Sequence, residues 1–369
     1  MQFEIEKQSI VIEGKVYSAS TIEQRYQESR EKGDTPLREV VSFLRDWFSS
    51  SYDTMEVQTS GSTGTPKKMQ VAKQKMLQSA CTTCHYLGLS SADTALLCMN
   101  MKYIGAKMMV VRALLLGMKL VVREASGHPL QDITEEISFA AMVPLQVYNS
   151  LQNGLERERL KSIRKVIIGG GALDASMEKE LSSFPNLMYA TYGMTETLSH
   201  IALRALSGPA ASRFFTPVEG VTLSLSEEQC LCIEAPLICE APIQTNDIVR
   251  LYTDGSFVIL GRIDNIINSG GIKIVVEEVE SILLGYVAAP LAITSVPDRA
   301  LGQAVVLLHE SSLEEEAIVK ICQEYLSPYK RPKRIFRTHL PLTPNGKIDR
   351  KELQKVALQL IRITSLSID

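Results

Sequence analysis

Thr59-Ser60-Gly61-Ser62-Thr63-Gly64-Thr65-Pro66-Lys67 is the most informative stretch of this chain. Gly61 and Gly64 allow tight backbone turns. Five hydroxyl side chains, with the backbone N–H groups, can wrap an anion, and Lys67 adds a positive charge. Residues 55–58 and 68–72 read as strands, so the loop joins two extended segments. It is not a Walker loop, which needs Gly-Lys-Ser/Thr after a gap of four residues from its first glycine; after that gap Gly61 is followed by Pro66-Lys67-Lys68. The competing reading is a polar hairpin turn, but a plain turn calls for neither five hydroxyls nor two glycines with a lysine.

Outward from the loop, the pattern divides the chain. Residues 1–20 alternate weakly, as one or two short strands. Residues 22–50 read as two helices split at Lys32-Gly33-Asp34, the second opened by Thr35-Pro36, where the missing proline N–H costs nothing. Leu37, Val40, Val41, Leu44, Trp47 and Phe48 give that helix an apolar stripe. From Met55 to about Thr191 strands (94–99, 119–123, 139–143, 165–168, 187–191) alternate with helices, the rhythm of a largely parallel sheet covered by helices. Residues 218–262 alternate on period two with an Asp254-Gly255 turn, predicting a small antiparallel sheet. Beyond Asp264 a helix at 276–284, strands at 289–296 and 304–309, a helix at 313–326 and a last helix after Asp349 form an α+β unit. The expected fold class is α/β: a large N-terminal domain of α/β layers over 1–263, with its small β subdomain at 218–262, then an α+β C-terminal domain over 264–369.

Composition narrows the function classes. With 369 residues, 45% hydrophobic and 22% charged, the chain can bury a large core. Lys plus Arg (39) against Asp plus Glu (42) leaves a net charge of −3, no surplus for a nucleic-acid backbone. The longest apolar run, Met108 to Val122, is broken by Arg112 and Lys119, so no membrane span is expected. The N-terminus lacks a secretory pattern, and seven cysteines, an odd count, predict reduced thiols and a cytoplasmic protein.

Further motifs follow in a fixed order: Gly169-Gly170-Gly171-Ala172, Tyr192-Gly193-Met194-Thr195-Glu196-Thr197, Thr245-Asn246-Asp247, Gly261-Arg262-Ile263-Asp264, Gly270-Gly271-Ile272-Lys273-Ile274 and Pro344-Asn345-Gly346-Lys347-Ile348-Asp349-Arg350. Together with the loop at 59–67, this series resembles the adenylate-forming superfamily of acyl-CoA synthetases, carrier-loading adenylation domains and luciferases, over about residues 55–352. Within it, Tyr192–His200, Tyr103–Gly117 and Met142-Val143-Pro144 are most similar to the branch that activates o-succinylbenzoate for menaquinone biosynthesis.

The resemblance implies an enzyme that joins a small carboxylic acid to coenzyme A, using ATP and Mg²⁺ and passing through an acyl-adenylate. Such catalysis rests on positioning and charge neutralisation. It implies that Thr59, Ser60, Gly61, Ser62, Thr63, Gly64 and Lys67 hold phosphates. Gly170, Gly171, Ala172, Tyr192 and Gly193 flank adenine, and Asp247 and Arg262 serve the ribose side. Thr195 donates to the α-phosphate, Glu196 is the metal ligand, and Lys347 neutralises charge as the adenylate forms. Asp264 is the hinge match for a mobile C-terminal domain, and Gly270, Gly271 and Lys273 face the pantetheine channel. A second substrate carboxylate needs a cation when buried; Lys102, Lys107 and Arg112 are candidates, with Ser199 and His200 beside them. The alternative leaves Lys107 and Arg112 on a solvated helix face.

Three features depart from the family pattern. Only 58 residues precede the loop, so the acyl pocket is expected to be more open or completed by a second chain in a homodimer. Asn246 replaces a glycine, and Asn tolerates left-handed backbone. Lys102 stands where relatives carry His or an aromatic residue. Cys81-Thr82-Thr83-Cys84-His85 fits a haem-attachment pattern, but it lies in a helical stretch of a chain with no export signal. Two rival functions stay open: a carrier-protein-loading adenylation enzyme, and a nucleotide-binding homologue without catalysis.

Overall fold

The computed structural model describes residues 3–31, 33, 35–58, 68–343 and 348–366. The elements are β1 (Ser9–Ile12), β2 (Lys15–Ser18), α1 (Ile22–Glu31), α2 (Pro36–Phe48), β3 (Thr54–Gln58), β4 (Lys68–Ala72), α3 (Lys73–Leu87), β5 (Thr94–Leu97), α4 (Ile104–Leu116), β6 (Lys119–Val122), β7 (Phe139–Met142), α5 (Pro144–Gln152), α6 (Gly154–Ser162), β8 (Lys165–Ile168), α7 (Ala175–Leu181), β9 (Leu187–Gly193), β10 (His200–Ala205) and β11 (Thr216–Pro217). There follow β12 (Thr222–Leu225), β13 (Cys230–Glu234), β14 (Ile243–Leu251), β15 (Phe257–Arg262), β16 (Ile267–Ser269), β17 (Ile272–Ile274), α8 (Val276–Leu284), β18 (Leu291–Asp298), β19 (Gly302–His309), α9 (Glu315–Tyr325), β20 (Arg334–Arg337) and α10 (Arg350–Leu366).

The described residues group into two compact units. One takes the chain through Leu223 with Ile233–Ile243 and Thr253–Ser256; the other takes Ser224–Cys232, Gln244–Tyr252 and the chain from Phe257 onward. The change of sequence pattern marks 263/264, yet β15 and most of β14 group with the C-terminal residues. The reason is packing: Gly261 in β15 lacks the Cβ that would stand 2.3 Å from Glu277 Oε2 and 2.5 Å from Val275 Cγ1 at the start of α8.

The first unit is built on a nine-stranded sheet in the order β11-β10-β9-β8-β7-β5-β6-β1-β2. Its ladders are parallel from β1 to β9 and antiparallel at both ends. The expected parallel strands are thus present, their limits shifted by a residue or two. Helix α4 buries Ala106, Met108 to Ala113 and Leu114, nearly its whole circumference, as a helix covered on all sides must. Helix α2 starts as its sequence predicts, Thr35 Oγ1 accepting from the Arg38 N–H (3.3 Å). The β3–β4 hairpin is antiparallel, with Gln58 opposite Lys68 at the base of the 59–67 loop.

In the second unit β18, β19, β16 and β17 form a sheet, with β20 parallel to β19. Helices α8 and α9 bury Val279, Leu283 and Ile318 on one face; α10 buries Leu353 and Ala357 on the other. Among the described residues no helix is long and apolar enough to cross a membrane. All seven cysteines are free thiols.

Candidate active site

Strands β5, β7, β8 and β9 are parallel, so their carboxyl ends share one edge. Ligands of open α/β sheets settle at that edge, where neighbouring strands send their connections in opposite directions. Here β5 leads to β6 on one side and β7 to β8 on the other. Gln146 braces this crevice: Nε2 donates to Cys98 O (2.8 Å) and Ser126 O (2.9 Å), and Oε1 accepts from the Val143 N–H (3.2 Å). After β8, a Cβ on Gly169 would stand 2.3 Å from Thr191 Oγ1, so only glycine fits. Gly170 is left-handed at φ +82°, and Gly170, Gly171 and Ala172 are exposed.

After β9 the chain doubles back into β10. A Cβ on Gly193 would lie 2.3 Å from Ser199 O. Buried Thr197 organises the turn: its Oγ1 accepts from the Met194 N–H (2.9 Å) and lies 2.7 Å from Ser199 O, to which it can donate. Leu198 takes a left-handed φ of 62°. This construction presents Glu196 to solvent. Among the described residues, no hydrogen bond or ion pair engages its carboxylate. Tyr192 is only 8% exposed and meets Phe215 edge-on at 6.1 Å, so most of its ring is already covered by protein.

Behind this turn lies a buried polar cluster. Arg112, on α4, is 1% exposed. Its Nη2 donates to Ser199 Oγ (2.5 Å) and Thr83 Oγ1 (3.4 Å), and Nη1 to Met109 Sδ (3.8 Å). Among the described residues its Nε has no partner, and no carboxylate pairs with it. Burial lowers its pKa from 12.5 to about 10, still charged at neutral pH. His200, also buried, sits between Thr83 Oγ1 (3.1 Å from Nε2) and Ser199 Oγ (3.4 Å from Nδ1). Burial first, and the Arg112 charge second, hold its imidazole well below the usual histidine range, hence neutral. At 1% exposure Arg112 is not on a solvated face, and a buried charge without a counter-ion is costly by several kcal/mol.

Lys102 and Lys107 do not join this cluster. They line a cavity of about 700 Å³ with Phe43 and Asp46 of α2 and Glu56 of β3, and Arg112 is not in its wall. Lys107 Nζ donates to Glu56 O (2.7 Å), and burial lowers its pKa. Cys84 of the haem-like pattern is buried, its thiol pushed up to about 12 by desolvation. Among the described residues no group of His, Cys, Asp and Glu is arranged to hold a metal.

In the second unit, Asp247 and Arg262 are cross-strand partners, joined at 3.3 Å, and Arg262 also pairs with Asp264 at 2.7 Å. Asn246 Nδ2 donates to both Asp264 oxygens (3.2 and 3.1 Å). Asp264, in a one-turn 3₁₀ helix at Ile263–Asn265, is therefore held, and the Arg262 bond lowers its pKa. Asn246 is in β14 and is not among the left-handed residues, so the tolerance expected of it is not used. Gly270 and Gly271 are left-handed (φ +58° and +81°) between β16 and β17, with Lys273 exposed. The phosphate-loop residues Thr59 to Lys67, and Lys347, lie outside the described residues.

The AMP-binding enzyme pattern matches residues 57–228. An acyl-CoA synthetase (AMP-forming)/AMP-acid ligase II-like protein from Dyadobacter fermentans is 31% identical, with 87% of this chain and 94% of that one covered, at a TM-score of 0.61. This chain belongs to the AMP-binding enzymes. The 2-succinylbenzoate–CoA ligase of Bacillus mycoides (strain KBAB4) is 26% identical, over 86% of this chain and 73% of its own length. The O-succinylbenzoate coenzyme A synthetase of Bacillus subtilis, solved with ATP and magnesium ion, shares the fold at a TM-score of 0.66 and 22% identity, with 81% of this chain and 69% of that one covered.

In this AMP-binding enzyme the structure brings together, at one sheet edge, the Gly169–Ala172 loop, the Tyr192–Glu196 turn and, behind it, Ser199 and His200. Sequence reasoning missed the Gln146 brace, which stands two residues beyond the Met142-Val143-Pro144 segment and whose partners, Cys98 and Ser126, are distant in the chain. It also left Arg112 undecided between pocket and solvent.

Proposed function

We propose that this AMP-binding enzyme is an ATP-dependent carboxylate–CoA ligase acting through an acyl-adenylate on a dicarboxylic acid of the o-succinylbenzoate type. The observation that carries the substrate reading is Arg112: a buried guanidinium whose partners among the described residues are hydroxyls and a thioether, with Ser199, three residues after Glu196, on its Nη2. A second carboxylate supplies the missing counter-charge, in a charge-assisted contact stronger than a neutral hydrogen bond. The similarity to curated 2-succinylbenzoate–CoA ligases supports the same reading.

The substrate carboxylate is a poor electrophile and gains AMP as a leaving group by attack on the α-phosphate of ATP, releasing pyrophosphate. Thr59 to Lys67 hold the outer phosphates, and Thr195 donates to the α-phosphate. The exposed, unengaged Glu196 carboxylate suits a hard cation such as Mg²⁺, which when bound offsets phosphate charge. Lys347 stabilises the charge developing on the transferring oxygens. Asp247 takes the ribose hydroxyls, with Arg262 holding its carboxylate in place. In the second step the CoA thiol attacks the acyl carbon and AMP leaves. Gly270, Gly271 and Lys273 border the pantetheine, and a rotation about Asp264, which must release its bonds to Arg262 and Asn246, exchanges the two steps.

The test is pyrophosphate release with ATP, Mg²⁺ and a panel of aromatic and aliphatic acids, with and without CoA. The expected result is o-succinylbenzoate far ahead of benzoate, with AMP release stimulated by CoA. Equal kcat/KM for the two acids overturns the substrate reading. Adenylation without thioester formation from CoA points instead to a carrier protein as acceptor.

A further inference from the structure

The described residues on either side of 344–347 are tied to one another. Leu342 and Ile348 form an antiparallel bridge, and the Asp349 N–H donates to Pro341 O (2.9 Å). Asp349 Oδ1 then accepts from the N–H groups of Lys351 and Glu352 (3.1 Å each), capping α10. Arg350, the next residue, makes a two-pronged pair with Glu280 of α8: Nη1 to Oε1 at 2.6 Å and Nη2 to Oε2 at 2.7 Å.

The pair sits at a special place on the sheet. Among the described residues strand β18 pairs with β19 alone, so no strand covers its other edge. Ile293 turns its peptide groups to that edge: its N–H donates to Glu280 Oε1 (2.7 Å), and its carbonyl accepts from Arg350 Nη1 (3.2 Å). The Glu280–Arg350 pair thus fills the pairing position that a further strand would take. It clips α8, packed on one face of the sheet, to the first turn of α10 on the other. The side chains are only 11% and 29% exposed, and the planar fork fixes direction as well as distance.

We infer that Glu280 and Arg350 are positioning residues for Lys347, holding the start of α10 so that the lysine three residues upstream reaches the reacting phosphate in adenylate formation. The inference rests on the reading that Lys347 serves that step. Lysine keeps the charge of Arg350 and loses the fork, so Arg350→Lys is the informative variant. It is expected to lower kcat for pyrophosphate release by about tenfold or more. Thioester formation from supplied acyl-adenylate and CoA is expected to stay within twofold of wild type. Because Arg350 acts through Lys347, Arg350→Lys combined with Lys347→Ala should be no slower in adenylation than Lys347→Ala alone.

Equal losses in both half-reactions, or multiplying losses in the double variant, overturn the inference and leave the pair a structural one. If Lys347→Ala itself keeps normal adenylation, the reading of Lys347 fails. If Lys347→Ala loses adenylation and Arg350→Lys does not, the positioning inference alone fails. Should Arg350→Lys not fold, Glu280→Asp, which shortens the same clip from the other side, takes the same tests with the same outcomes.

Discussion

Replacing Arg112 by methionine should make the protein more stable and a worse enzyme. The guanidinium is buried against Ser199, Thr83 and Met109 with no acidic partner among the described residues. Methionine has nearly its length, and the hydroxyls keep other bonds: Thr83 Oγ1 to Ser79 O (3.1 Å) and to His200 (3.1 Å), Ser199 Oγ to His200 (3.4 Å). Removing a lone buried charge while leaving its neighbours satisfied should stabilise the ligand-free protein by roughly 1–3 kcal/mol, within the range seen when buried ions give way to apolar side chains. At about 2–4 °C per kcal/mol for a unit of this size, the melting temperature should rise by on the order of 5 °C.

The catalytic effect has the opposite sign. A hydrogen bond to a charged group contributes about 1.5–3 kcal/mol. Losing the contact to the distal carboxylate should therefore cut kcat/KM for o-succinylbenzoate roughly 10- to 150-fold, while an aromatic monocarboxylate is little affected. Thermal melts without ligand, and pyrophosphate release with both acids, test the two halves on one preparation. A lower melting temperature with an unchanged ratio of the two acids would refute the argument, because Arg112 would then be a stabilising core residue with no part in selecting the substrate.

Glu196→Gln should lose about 10²-fold in Mg²⁺-dependent pyrophosphate release, with the melting temperature unchanged because no described residue engages the carboxylate; a matching fall in stability would assign it a structural role. His200 predicts an acid-labile component of stability. Its folded pKa is depressed, so below about 6.5 the unfolded chain binds a proton that the folded chain does not, and stability falls as pH falls. Denaturation midpoints of wild type and His200→Gln should run parallel above about pH 7.5, and the wild type should drop more steeply below 6.5; identical slopes would mean that His200 does not stay neutral in the fold.

What could be read from the sequence was set locally. The Thr35-Pro36 start of α2, the β3–β4 hairpin and the parallel strands each follow from spacing within some ten residues, and folding left them where the pattern put them. What escaped depends on distant partners. Arg112 interrupts an apolar run, and taken singly it reads as one solvated position on a helix. The signal against that lay in the rest of α4: Ala106 to Leu114 are apolar at every angle around the axis except at Arg112 and Lys107. A helix apolar all round is a covered helix, so a charge near its middle has no solvated face to occupy. Arg350 posed a different difficulty: it closes the 344–350 motif, but nothing local points to its partner Glu280, 70 residues earlier. The two arginines then differ by partner rather than by burial. At Arg350 the chain supplies its own carboxylate, and the guanidinium holds structure together. At Arg112 the described residues supply only neutral oxygens and sulfur, which is why we assign the counter-charge to a molecule that binds.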